Sequence, residues 1–148
     1  MKRRHALRGQ RGQALVEFSL VGIVFFMMVL GIIDAVRMVW NYNALAEATR
    51  EGTRYAIVHG AQSSDPSGPG SAYYTAPDTD TKVTDAVEQF AGGLNPSQLN
   101  VKAEWLDGSN ETGNRMKVTS SYDIQPLFGF VGGFSFTMTS SSTMKITY

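Results

Sequence analysis

The longest apolar run in the chain, Ala14–Ile33 (ALVEFSLVGIVFFMMVLGII), contains a single charge, Glu17. At about 1.5 Å rise per residue, a helix of this length covers roughly 30 Å, the thickness of a bilayer's hydrocarbon core. Phe25, Phe26, Met27 and Met28 follow one another directly, so the run has no polar face. It therefore reads as a membrane helix rather than an amphipathic core helix. No proline occurs before Pro66, and residues 34–58 favour helix, so the helix is predicted to run on to Val58. A helix over 14–58 would be roughly 68 Å long.

The pattern then changes twice. Residues 61–80 (AQSSDPSGPGSAYYTAPDTD) are rich in Ser, Gly, Pro and Asp and predict a long surface loop. Val83, Ala86, Val87, Phe90 and Ala91 fall at helical spacing before Gly92-Gly93 and predict one short amphipathic helix. Three alternating segments follow. Leu99, Val101, Ala103 and Trp105 share one face, as do Met116, Val118, Ser120, Tyr122 and Ile124. Phe134, Phe136, Met138, Met144, Ile146 and Tyr148 share a third. A period of two with one apolar face predicts an antiparallel sheet covered on one side, by the long helix and the short one. The fold class is α+β: a long N-terminal transmembrane helix extending into a small extracytoplasmic domain with a second short helix and a three-stranded antiparallel sheet. The expected divisions are a basic leader over 1–12, the membrane helix over 13–33, its extension over 34–60, the loop over 61–80 and the α+β domain over 81–148.

Charge orients this arrangement. The 148 residues carry 13 Lys+Arg against 13 Asp+Glu, a formal net charge of zero. Five of the basic residues (Lys2, Arg3, Arg4, Arg8, Arg11) lie in the first twelve positions with no acid among them. That leaves eight basic and thirteen acidic residues for the rest of the chain. Positive charge flanking an apolar helix marks the cytoplasmic side, so the N-terminus is expected inside and the C-terminal domain outside. The same placement argues against a nucleic-acid tail. Ala44-Leu45-Ala46 has the small-x-small form of a signal-peptidase site but lies well beyond the apolar run, which exceeds the usual h-region.

Glu17 sits four residues inside the membrane run, where a carboxylate demands a partner, protonation or escape to the interface. Its context is Arg11-Gly12-Gln13-Ala14-Leu15-Val16-Glu17-Phe18. This resembles type IV pilin precursors, whose short basic leader ends in Gly and whose mature chain has Glu at its fifth position. Together with Ala48-Thr49-Arg50-Glu51-Gly52-Thr53-Arg54-Tyr55-Ala56 and the C-terminal stretch Thr139–Tyr148, the chain is similar to TadE-like proteins, the pseudopilins of tight-adherence (Tad, or Flp) pilus systems. The resemblance implies a pilin-like fold and cleavage between Gly12 and Gln13 by a prepilin peptidase. It also implies that Glu17, beside Phe18, pairs with the N-terminal amine of a neighbouring subunit. Two charges that are each costly in lipid offset one another only when subunits associate in register. Implied partners are the peptidase, the pilin and other pseudopilins, the pilus assembly platform proteins and membrane lipid. The chain is longer than a major Flp pilin, which favours a minor pseudopilin.

Two further features bear on contacts. Ala44, Ala48, Gly52 and Ala56 form a ridge of small residues at four-residue spacing, which permits close backbone approach to a sheet or another helix. Gly52 is the telling member, because a mid-helix glycine costs about 1 kcal/mol relative to alanine. The connection Pro126–Gly133 is apolar for a loop, with Leu127, Phe128, Phe130 and Val131. It can tuck into the core, lie at the membrane surface or form a subunit-contact patch.

Catalytic chemistry finds no support. The chain has no cysteine, and of its two histidines His5 lies in the leader. Ser142-Thr143-Met144-Lys145 matches the Ser-x-x-Lys spacing of serine acyl enzymes, but positions three apart on a strand face opposite ways. Asp78, Asp80 and Asp85 make only a weak calcium pattern, broken at Lys82 and Val83. The expectation is a non-enzymatic, cofactor-free pseudopilin of the cytoplasmic membrane acting in Tad pilus assembly. The alternative is a membrane-tethered extracytoplasmic binding or adhesion domain that never enters a filament.

Overall fold

The computed structural model describes residues 7–68, 75–77, 81–127 and 135–148. Helix α1 spans Leu7–Val58, strand β1 Thr75–Pro77 and helix α2 Thr81–Phe90. Strands β2 (Leu99–Trp105), β3 (Arg115–Ile124) and β4 (Phe136–Lys145) follow a short 3-10 turn at Pro96–Gln98. The sheet order is β1-β2-β3-β4, with every pair antiparallel. The chain divides into two compact units, one ending at Arg37 and one beginning at Met38.

The α+β class, the long apolar helix, the short second helix and the three predicted antiparallel strands, here β2–β4, are all present. Alternation translates directly into burial. Val101, Ala103, Trp105, Met116, Val118, Tyr122 and Ile124 are buried, while their odd-even neighbours are not. They pack against Leu45, Ala48 and Ala56 of α1 and Val83 and Val87 of α2 in one core. Strand β4 is an edge, so its inward residues Met138 and Met144 are only half-buried and Phe136 is exposed; the core closes again at Ile146. Phe134 lies outside the described residues.

Two of the expected divisions contain structure that the sequence pattern did not predict. Helix α1 begins at Leu7, inside the predicted leader, because helical hydrogen bonding propagates backwards from the apolar run through Gly12. The stretch expected to be loop contains β1, which pairs Thr75–Pro77 with Lys102–Glu104. An edge position tolerates Pro77, which has no N–H to donate. The start of that loop also belongs to the core. Ser67 is buried, donating its N–H to the His59 carbonyl at 2.7 Å and accepting from Asn110 Nδ2 at 3.3 Å. Gly68 has φ +112° and lies so close to the Trp105 indole that a Cβ there would overlap the ring. A large buried ring needs a lid, and only glycine allows backbone to serve as one. Lys82 of α2 clamps the same segment through the Asp65 carboxylate and the Pro66 carbonyl. The hydrogen bond and charge of Lys82 hold the Asp65 carboxyl below its ordinary range.

The end of α1 is tied to the end of the chain. The Thr147 N–H and hydroxyl both donate to the Ile57 carbonyl, at 3.0 and 3.1 Å, satisfying an acceptor that a helix terminus leaves open. Gly60 allows the approach, since a Cβ there would overlap the Tyr148 carbonyl oxygen.

The β2–β3 turn is fixed by a fork. Asp107 accepts from the Arg115 backbone N–H at 2.7 Å, from Nε at 3.1 Å and from Nη2 at 2.7 Å. The hydrogen bonds and charge of Arg115 thereby lower the Asp107 pKa to about 2, below the ordinary carboxylate range. A carboxyl depressed in the folded state stabilises it above the unfolded pKa, and that contribution is lost as pH falls from about 4 toward 2. Asp107→Asn is expected to lower the thermal midpoint of the detergent-solubilised protein at pH 7 and to flatten its pH dependence across that window. Parallel melting curves for variant and wild type from pH 5 to 2 would show that the fork contributes nothing. Because the pair is solvent-exposed, the effect is small.

Candidate functional site

The candidate site is carried on α1. From Leu15 to Ile33 most of the large apolar side chains are exposed, including Leu15 at 68% and Phe18 at 78%, and none of the most apolar window is buried. An exposed apolar surface this continuous requires lipid or other apolar helices around it. The helix is long and apolar enough to cross a membrane. Its polar residues are managed within the helix. Ser19 returns its hydroxyl to the Leu15 carbonyl at 2.8 Å, removing a donor from the lipid-facing surface. At the far end Asp34 and Arg37 form an i,i+3 ion pair at 3.4 Å.

Glu17 lies on the exposed surface with Phe18, and its carboxylate accepts a hydrogen bond from Gln13 Nε2 at 3.1 Å. One helical turn thus brings Gln13, the residue after the predicted cleavage point, onto the face of Glu17. A neutral amide donor satisfies one lone pair of a carboxylate without neutralising its charge. This arrangement leaves Glu17 open to a cation from outside its own chain.

The small-residue ridge sits elsewhere, inside the second unit. Ala48 and Ala56 are fully buried, Gly52 is buried and Ala44 is half-buried. Gly52 lies against α2, where a Cβ would overlap Val87 Cγ2. At Gly52 the ridge therefore packs helix on helix within the chain. Two residues of that face escaped the sequence reading: Thr49 and Thr53 are fully buried. Their hydroxyls donate to the Leu45 and Thr49 carbonyls at 2.7 and 2.8 Å, so each buries a methyl without stranding a polar group. Their spacing from Leu45 (i+4, i+8) was the available signal.

The proposed contact patch is represented by Leu127, which is 61% exposed; Phe128, Phe130 and Val131 lie outside the described residues. Ser142 and Lys145 fall on opposite faces of β4. Among the described residues no cluster of three His, Asp or Glu side chains has the arrangement of a metal site.

A family model described as TadE-like protein matches residues 12–54. Over this segment the chain is similar to TadE-like proteins. The TadE-like segment begins at Gly12, includes Gln13, Glu17 and Phe18, and ends two residues beyond Gly52, before the whole of the sheet. No curated protein and no solved structure matches the chain. The TadE-like match covers most of the helix that is long and apolar enough to cross a membrane.

Proposed function

We propose that the chain is a minor pseudopilin that takes part in assembling a Tad-type pilus, without catalytic activity of its own. The observation that carries this is the coincidence of three things on one short segment. The TadE-like match starts at Gly12, Glu17 follows at the fifth position after it, and the surrounding helix surface is exposed and predominantly apolar. In this reading a prepilin peptidase cuts between Gly12 and Gln13 on the cytoplasmic side, where the basic leader is held. The C-terminal unit lies outside the cytoplasmic membrane. The new amine of one subunit meets Glu17 of the next as apolar helices of pilin and pseudopilins bundle on the assembly platform.

Intact-mass measurement of the membrane-extracted protein tests it. The expected mature chain begins at Gln13, and appears only in cells that contain the peptidase. An uncut leader in such cells, or a cut near Ala46, would overturn the proposal and favour a tethered adhesion domain.

A further inference from the structure

The second unit opens with apolar side chains that its own core does not use. Met38 and Leu45 turn inward and pack with the sheet, whereas Val39, Trp40 and Tyr42 are 62%, 70% and 49% exposed. Helical spacing prevents all of them from being buried in one domain, since Met38 and Leu45 lie on one side of α1 and Val39 and Trp40 on the other. The outward face then changes character abruptly. Following Val39 and Trp40 at helical spacing, the same face presents Asn43, Glu47, Arg50 and Arg54, all exposed. Exposed apolar residues on this face stop at an aromatic, an uncharged amide follows one turn on, and charge begins about two turns beyond Trp40.

We propose that Val39, Trp40 and Tyr42 rest in the lipid–water interface, so that the membrane-contacting surface of the protein ends between Trp40 and Asn43 and not at Ile33. The inference rests on the membrane-anchored reading of α1. Tryptophan and tyrosine suit the headgroup zone, with an apolar ring on one side and a hydrogen-bonding atom on the other. Asn41 and Asn43 interleave with them and bring hydrogen-bonding capacity without charge. Asp34 and Arg37, the charges that end the apolar run in sequence, are paired with each other, and Asp34 is buried. Asp34 is therefore not part of a solvated collar marking the edge of the membrane. The membrane-contacting stretch of α1 therefore continues into the first residues of the extracytoplasmic unit.

The chain contains two tryptophans, which makes the test direct. Trp105 is 1% exposed in the core and Trp40 is 70% exposed. The full chain is reconstituted in phosphatidylcholine vesicles with and without brominated acyl chains, and tryptophan emission is compared for wild type and Trp40→Phe. Brominated lipid is expected to quench the Trp40 share of the wild-type signal, leaving Trp40→Phe nearly unquenched. Equal quenching of the two proteins overturns the inference. So does a Trp40 signal reached by aqueous acrylamide and not by bromine, which places it in water, or by neither quencher, which places it under protein. Vesicle flotation separates the two levels: a chain that floats with Trp40 unquenched refutes the interfacial placement alone. A chain that does not float refutes the membrane anchor and the interfacial placement together.

Discussion

Glu17→Ala is expected to leave membrane insertion intact and to reduce association with pilin subunits by about two orders of magnitude. Insertion depends on apolar length, and removing a carboxylate from an apolar run favours it. Association is different. If Glu17 meets a neighbour's N-terminal amine in a low-dielectric surrounding, removing one partner strands the other, at about 3–5 kcal/mol. Each 1.4 kcal/mol is tenfold, and a position near the bilayer edge belongs at the lower end of that range, so roughly 100-fold is expected. Glu17→Gln discriminates charge from hydrogen bonding. It keeps an acceptor for Gln13 Nε2 but loses the negative charge, so it should associate as poorly as Glu17→Ala. The measurements are carbonate resistance for insertion and co-purification with pilin for association. Undiminished co-purification and piliation in both variants would reduce Glu17 to an ordinary interfacial residue.

The membrane helix and the sheet were legible for the same reason: both are repeats whose period reports one surrounding. Twenty apolar residues without a polar face require lipid, and a period of two with one apolar side requires a covered sheet. What escaped was held by long-range contacts that local pattern does not encode. Strand β1 is three residues ending in proline, with no alternation of its own, and exists because β2 offers an unpaired edge. Ser67 and Gly68 stand in a stretch whose composition says loop, yet they are placed by Trp105 and Asn110, about forty residues away. Asn110 itself, in a turn-rich segment, is almost fully buried because it ties that loop and Ala61 together. At the candidate site the same division holds. The spacing from Gly12 to Glu17 is visible in the sequence, since cost in lipid marks the residue whatever surrounds it. The hydrogen bond from Gln13, and the turn of the small-residue ridge toward α2 within the chain, required coordinates.

That ridge supports the second large effect. Gly52→Ala should destabilise the second unit by about 1–2 kcal/mol even though the substitution improves the helix locally. By propensity alone, alanine in mid-helix gains about 1 kcal/mol over glycine. Against this, the added methyl overlaps Val87 Cγ2, a β-branched side chain that has little rotamer freedom in α2 and is itself fully buried. Overpacking of this kind costs about 1–3 kcal/mol and occasionally more, because neighbouring elements must move apart. The Val83 carbonyl stands behind the contact, which makes retreat harder. The overlap therefore outweighs the propensity gain. A double-mutant cycle with Val87→Ala isolates the contact: removing the obstructing methyls should let the helix-propensity gain reappear. The double variant should accordingly be more stable than Val87→Ala alone, and clearly more stable than additivity predicts. Additive destabilisation in chemical denaturation would mean that α1 and α2 separate freely, and that Gly52 is not held by close approach.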